Sequence, residues 1–310
     1  MYKHIFGPVP SRRLGMSLGV DLVPHKVCSL DCVYCECGAT KKLTLDRKEY
    51  VLYKNVTAEL TDYFENNPDP EFITLSGNGE PTLNIRLGEI IDFIKKLRPN
   101  IPLAVLTNGT LLFEPEVREE LTKADLVIPS LDAVIKNDFV AVNQPAKNLT
   151  LEKYIEGIEK FVAEFSGRIW LEIMIIPDYN DSIENIKALS EFLRKIKVEK
   201  IQLNTLDRPG TVPDLRAASI PELKNIVEML NLPNVEIISS VPERKKMKAY
   251  RQDIESAIIE TISRRPCTVD DLASILNTNT KDINKYLGVL DSEGKIISER
   301  QKRGVFYRLK

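Results

Sequence analysis

The feature that most constrains this chain is a repeated alternation. Apolar, β-branched runs occur at 17–24 (SLGVDLVP), 71–78 (EFITLSGN), 102–109 (PLAVLTNG), 125–133 (DLVIPSLDA), 168–177 (RIWLEIMIIP) and 200–207 (KIQLNTLD). Each is followed by a stretch whose apolar residues recur at helical spacing, at 47–67, 84–99, 114–124, 149–167, 181–197 and 219–230. The strand runs are continuous rather than alternating, as a parallel sheet covered by helices requires. Six βα units in a row predict an α/β fold, a partial (β/α)6 barrel of the TIM-like kind. Eight units would leave too little of the 310 residues for the differently patterned C-terminal segment.

Chemistry in such folds gathers at the C-terminal ends of the strands. The polar punctuation falls there: SGNGEPT, TNGT, PSLDA, EIMIIPDYND and LNTLDRPG. Any one of these is accounted for as a turn. Five of them on one rim point to a site.

The pattern changes near residue 240. We divide the chain into a barrel (1–240), a basic linker (241–251) and a C-terminal module (252–310). The module reads as three short helices, with a capping-box-like start at Thr268, and a β-hairpin turning near Arg303 and Gly304. Three helices and a hairpin predict a winged helix-turn-helix. The hairpin carries Lys295, Arg300, Lys302, Arg303, Arg308 and Lys310 against Glu299, which suits phosphate contact. The third helix is mixed in charge and gives little support for reading base edges. Such modules also dock proteins and peptides.

Composition excludes some classes. With 43% hydrophobic and 28% charged residues the chain is ordinary for a globular protein. The net charge of −2 makes no demand of its own for a nucleic-acid partner. No apolar run approaches the roughly 18 residues of a membrane span, and MYKHIFGPVPSRR lacks the apolar core of a secretory signal. The expectation is a cytoplasmic protein with no membrane partner.

Four of the five cysteines crowd into KVCSLDCVYCECG (26–38): Cys28, Cys32, Cys35 and Cys37. In a reducing compartment such clusters are metal-binding or catalytic rather than disulfide-bonded. Cys28, Cys32 and Cys35 form C-x3-C-x2-C. Three thiolates suffice for three irons of a [4Fe–4S] cluster and leave the fourth iron open. A structural zinc site is the alternative, but two separated C-x2-C knuckles are missing. Tyr34 is placed to shield a cluster and flank a bound adenine. Cys37 is a fourth ligand, a catalytic thiol or a bystander, and Cys267 is a packed or exposed free thiol.

The spacing C-x3-C-x-aromatic-C, followed on the next strand by Gly77-Asn78-Gly79-Glu80-Pro81, resembles the radical S-adenosylmethionine superfamily over roughly residues 1 to 245. Within it, GPVPSRRLGMSLGVDLVP and SGNGEPTLN resemble a group of Fe–S oxidoreductases distantly related to wyosine-forming tRNA enzymes. The resemblance implies that Cys28, Cys32 and Cys35 ligate a [4Fe–4S] cluster. It implies that S-adenosylmethionine chelates the open iron, and that Gly77, Asn78, Gly79, Glu80 and Pro81 bind its methionine amino group. Asn78 stands where the family usually has Gly, a change Asn tolerates. Thr107, Asn108, Ser130, Asp132 and Glu172 are placed by position to contact the ribose or the methionine carboxylate. A flavodoxin- or ferredoxin-like protein would supply one electron, and a 5′-deoxyadenosyl radical would abstract hydrogen from substrate.

Arg12 and Arg13, in the turn-rich GPVPSRRLG, and Arg208, after the last strand, are surface charges or substrate-binding groups. His4 and His25 are lone histidines, and Trp170 is most simply core. Three functions are compatible with these features: a radical enzyme acting on RNA, with tRNA first; a radical enzyme acting on a peptide or protein docked by the winged helix; and a DNA-binding regulator using the cluster as redox sensor. The glycine-rich motif argues against the third.

Overall fold

The structure, a computed structural model, describes residues 2–238 and 254–310. The basic linker predicted at 241–251 lies outside them. The elements run β1 (Ile5–Ser11), β2 (Gly15–Asp21), β3 (Val27–Cys28), β4 (Lys42–Leu43), α1 (Tyr53–Asn66), β5 (Phe72–Ser76), α2 (Leu87–Leu97), β6 (Leu103–Thr107), α3 (Pro115–Leu121), β7 (Leu126–Pro129), α4 (Lys136–Asn143), α5 (Leu151–Glu164), β8 (Arg168–Ile175), α6 (Ile183–Leu193), β9 (Lys200–Thr205), α7 (Ile220–Leu230) and β10 (Val235–Ile237). Then come α8 (Ile254–Arg264), β11 (Cys267–Thr268), α9 (Val269–Ile275), α10 (Thr280–Ser292), β12 (Ile296–Gln301) and β13 (Gly304–Leu309).

The main sheet has the order β1-β2-β5-β6-β7-β8-β9-β10. The six strands expected from periodicity, β2 and β5 to β9, are parallel neighbours in chain order. Two edge strands were not legible. β1 pairs antiparallel with β2 through an irregular register between Phe6 and Val9. Its Pro8 and Pro10 read as turn residues, but an edge strand tolerates the missing N–H groups. The three-residue β10 closes the other edge beside β9. The sheet therefore stays open, a partial barrel.

Strand side chains alternate between faces. Ile73, Leu75, Leu103, Val105, Leu171, Ile173, Ile201 and Leu203 join the helices in the main core, with Ile90, Ile94 and Leu189. Phe72, Ala104, Leu106, Leu126, Ile128 and Trp170 form a separate cluster on the other face, and Leu14 packs into it. Leu14 belongs to the turn between β1 and β2, so this turn plugs the lumen of the barrel.

Next to the plug the lumen becomes polar. Arg13 Nη1 lies 2.9 Å from Glu172 Oε1 and donates to Gln202 Oε1 at 3.3 Å. Arg12 Nη1 donates to Asn204 Oδ1 at 3.2 Å, and Asn204 Nδ2 donates to Glu172 Oε1 at 2.8 Å. The two arginines thus reach strands β8 and β9 from inside. The charged residues are half-buried and paired rather than spread on the surface.

The C-terminal residues form three helices and an antiparallel sheet of order β11-β13-β12. They enclose their own core of Ile258, Ile262, Leu272, Ile283, Leu287, Leu290 and Ile296. The expected cap is present: Thr268 Oγ1 accepts from the N–H of Asp271, and the Asp271 carboxylate accepts from the N–H of Thr268. Cys267 is fully buried there, a packed thiol. Among the described residues no helix is long and apolar enough to cross a membrane.

Leu14 is 3% exposed inside the lumen. Leu14→Ala is expected to cost about 3 kcal/mol through lost burial and the cavity left behind. Denaturant unfolding checks this, with the midpoint lowered and the slope unchanged.

Candidate active site

The cysteine loop leaves the C-terminal end of β2 and is laid directly against the Gly77–Pro81 segment. Lys26 takes a left-handed backbone (φ 62°), and its N–H donates to the carbonyl of Asn78 at 2.5 Å. The N–H of Glu80 donates to the carbonyl of Val27 at 3.1 Å. Gly79 makes this approach possible, because a Cβ there would stand 2.1 Å from the Val27 carbonyl oxygen. Gly77 sits at φ 145°, open to glycine alone. Asn78 has no left-handed backbone, which is why a side chain is accepted there.

Glu80 is 2% exposed and accepts four hydrogen bonds. Oε1 takes the N–H and hydroxyl of Thr82 at 3.0 and 2.6 Å and the hydroxyl of Thr107 at 2.6 Å. Oε2 takes the N–H of Asn108 at 2.7 Å. Burial pushes this carboxyl up, against the pull of those donors. Glu80 therefore ties the motif to the end of β6. Pro81 is buried at the start of a single 3-10 turn that Glu80 caps.

From there the chain of contacts returns to the cysteines. Asn108 Nδ2 donates to Ser29 Oγ at 2.9 Å and reaches Cys28 Sγ at 3.4 Å. Asn143 Nδ2 reaches Cys32 Sγ at 3.4 Å and donates to Asp132 Oδ2 at 2.6 Å. Lys26 Nζ donates to Cys35 Sγ at 3.0 Å. Each of the three sulfurs thus has a side-chain nitrogen donor. Cys28 is pushed up to about 12 by burial and by Glu80, and Cys32 is raised by burial and Asp132. Cys35 is drawn down to about 6 by a hydrogen bond from Cys37 and by the Lys26 ammonium, against its burial. Cys37 is raised correspondingly and keeps the proton.

Asp132 is fully buried and holds three parts of the site together. Oδ2 also accepts from the Tyr34 hydroxyl at 2.6 Å, and Oδ1 accepts from the N–H of Met174 at 2.8 Å. Ser130, just after β7, and Glu172, in the middle of β8, form an isolated parallel bridge, and the Ser130 carbonyl accepts from the Tyr154 hydroxyl. Thr107, Asn108 and Asp132 are thus committed to protein partners.

Arg208 is 4% exposed, with Nη1 3.0 Å from Glu36 Oε2 and 3.6 Å from Asp207 and Nη2 3.9 Å from Asp271. Arg303 spans the same two aspartates, at 2.7 Å from Asp271 and 3.4 Å from Asp207. Glu36 lies between Cys35 and Cys37. Burial would raise it, but Arg208, Arg265 and Arg12 hold it low. Arg264 of α8 is paired with Asp21 at the end of β2. Charged side chains therefore join the cysteine loop to the C-terminal module. The loop after β9 adds backbone support: the N–H groups of Thr211 and Val212 both donate to the Val33 carbonyl.

Lys26, Glu36, Asn143 and Asp271 were not singled out by sequence reading. Asn143 lies on α4, a short helix rich in Asn and Val whose weak propensity hid it.

Among the described residues no three His, Cys, Asp or Glu side chains gather as ligands of one metal ion. Three thiols on one loop, each with a donor that stabilises its anion, fit a [4Fe–4S] cluster.

A model of the radical SAM superfamily matches residues 22–193, more than half of the chain. The chain belongs to the radical SAM superfamily. S-adenosylmethionine and a [4Fe–4S] cluster are its cofactors, and it is an enzyme. The UPF0026 protein MJ1312 of Methanocaldococcus jannaschii is 31% identical over 97% of this chain and 94% of that protein. A protein named GTPase Obg from Brachyspira hyodysenteriae is 36% identical over 96% of this chain, which spans only 44% of that protein. A probable dual-specificity RNA methyltransferase RlmN of Streptococcus sanguinis is 24% identical over 58% of this chain and 51% of its own length. The crystal structure of a radical SAM methyltransferase from Sphaerobacter thermophilus shares the fold, with TM-score 0.55 and 18% identity over 71% of this chain and 65% of that one.

This geometry has two measurable consequences. Arg208→Met leaves Glu36 without its main countercharge, and a loss of about 2 kcal/mol is expected. Iron content after reconstitution should fall with it, as measured by iron and protein assay. Asp132 is raised to about 6 by burial. A raised carboxyl favours folding below its unfolded value and loses that contribution as pH climbs from about 4 through 6. Asp132→Asn should flatten this slope in urea titrations across that range.

Proposed function

We propose that this radical SAM enzyme modifies RNA, with tRNA the first candidate. The observation that carries the reading is a set of uncompensated cations on the C-terminal module. Arg300, Lys302, Arg308 and Lys310 are exposed, and among the described residues none has a carboxylate partner. Their counterions would be released on phosphate binding. We read the three helices and the sheet as a winged helix-turn-helix that grips the RNA backbone. The similarity to an RNA methyltransferase points the same way.

In this reading Cys28, Cys32 and Cys35 would hold the [4Fe–4S] cluster, with S-adenosylmethionine bound beside it. When bound and reduced, the cluster would supply the one electron that reductive cleavage of S-adenosylmethionine needs. The electron comes from a flavodoxin- or ferredoxin-like protein. Asn108, Asn143 and Lys26 steady the thiolates and tune the cluster. The backbone of Gly77 to Pro81 cradles the methionine amino group, and Glu80 acts by fixing that backbone. Thr107, Asn108 and Asp132 hold the rim in shape. Ser130 keeps its hydroxyl for the cofactor, and Tyr34 covers the cysteine loop. Glu172 sits in the polar lumen with Arg12 and Arg13, where hydrogen abstraction would be shielded from water.

The test is turnover. Cluster-loaded enzyme, S-adenosylmethionine and reductant are incubated with tRNA from a strain lacking the gene, and nucleosides are analysed by mass spectrometry. A mass change on one nucleoside, absent with Cys32→Ala, is expected. Stimulation of cofactor cleavage by a protein fraction and not by RNA would contradict it.

A further inference from the structure

A cleft of about 320 Å³ lies between the cysteine loop and the C-terminal module. That is the small end of ligand-pocket sizes, about 300–1,000 Å³. One wall carries Glu36, Cys37 and Gly38, immediately after the cysteines, and Gly210. The opposite wall carries Arg264 and Arg265 at the end of α8, and Glu299 and Arg308 of the hairpin.

The charges on these walls differ in how they are occupied. Glu36 is neutralised by Arg208, and Arg264 by Asp21. Glu299 accepts from Gln301. Arg265 and Arg308 have no ion pair or side-chain hydrogen bond among the described residues. The cleft therefore holds two guanidiniums without a direct ion pair, although Arg265 also feels the Glu36 carboxylate that it helps hold low. The hairpin register shows how Arg308 comes to face it. Arg308 stands opposite Ile297 and shares a face with Glu299 and the buried Phe306. Arg300 stands opposite Val305 on the other face, which packs with Ile296, Tyr307 and Leu309 against the module's helices.

We propose that this cleft is a phosphate-binding subsite, in which Arg265 and Arg308 hold the phosphodiester backbone of a single-stranded RNA segment beside the cysteine loop. The inference rests on the RNA reading and adds where the strand runs. Guanidinium forks match phosphate oxygens in pairs. A strand held here lies between the module and the cysteine loop, so a neighbouring nucleotide is delivered to the barrel mouth. Cys37, which lines the cleft, becomes a residue that the strand passes rather than a bystander.

The experiment uses the full-length, cluster-loaded protein and a fluorescein-labelled oligoribonucleotide of mixed sequence. Binding is measured by anisotropy over a salt series for wild type, the double variant Arg265→Gln/Arg308→Gln, and Lys187→Gln, an exposed cation of α6. Thermal unfolding is recorded for each to exclude misfolding. The expected result is at least about tenfold weaker binding for the double variant, with the log–log salt slope shallower by about 1.4, since each of the two released counterions contributes roughly 0.7. Lys187→Gln should change both by much less. If wild type binds RNA and the double variant matches it, or if Lys187→Gln loses as much, the cleft is not the subsite although the RNA reading stands. If wild type binds an acidic peptide and not the RNA, both readings fall.

Discussion

A single buried carboxylate organises the mouth of this barrel. Glu80 takes four donors from three residues, and its own N–H is spent on Val27, at the start of the cysteine loop. The end of β6, the glycine-rich segment and the first cysteine are thereby held in one unit. A carboxylate so buried is tolerable only when every lone pair finds a partner. The requirement explains the local sequence: two threonines supply hydroxyls, two residues supply N–H groups, and Gly79 lets the backbones meet. Asp132 repeats the device on the other side, linking Tyr34, Asn143 and β8. The thiols sit between these two anchors.

The C-terminal module is a structural partner of the site as well as its proposed grip on substrate. It has its own hydrophobic core, yet Arg264 and Asp271 reach back to Asp21 and Arg208. Arg208, Arg303, Glu36, Asp207 and Asp271 are packed closely enough that loss of one leaves others buried and uncompensated. The cysteine loop carries Glu36 in its middle, so its conformation is coupled to that network by direct contact. The module thus both braces the loop and presents cations beside it.

Much of this was legible in the sequence, and the reasons are physical. Six strand runs had the continuous apolar character of buried parallel strands, and all six are present. β1 was hidden because Pro8 and Pro10 argue against a strand, and only its place at the sheet edge makes them acceptable. α4 was hidden by its short length and its poor helix formers, and Asn143 went with it. The cysteine spacing and Gly77–Pro81 carried the family. Pairing was out of reach: that Arg13 meets Glu172, that Arg208 meets Glu36, or that Lys26 meets Cys35 depends on contacts between segments distant in sequence or on a left-handed turn. Sequence position placed Arg208 on the rim but gave no sign that three carboxylates would enclose it.

The central claim is that the loop of Cys28, Cys32 and Cys35 supports reductive cleavage of S-adenosylmethionine. The direct measurement is anaerobic: reconstitute the cluster, reduce it with dithionite, add S-adenosylmethionine, and follow both the electron-spin spectrum and the appearance of 5′-deoxyadenosine by mass spectrometry. The account predicts that the spectrum changes on adding S-adenosylmethionine and that 5′-deoxyadenosine forms, with both signals lost in Cys32→Ala. An intact, reduced cluster whose spectrum ignores S-adenosylmethionine and which yields no product, with or without RNA, would contradict it.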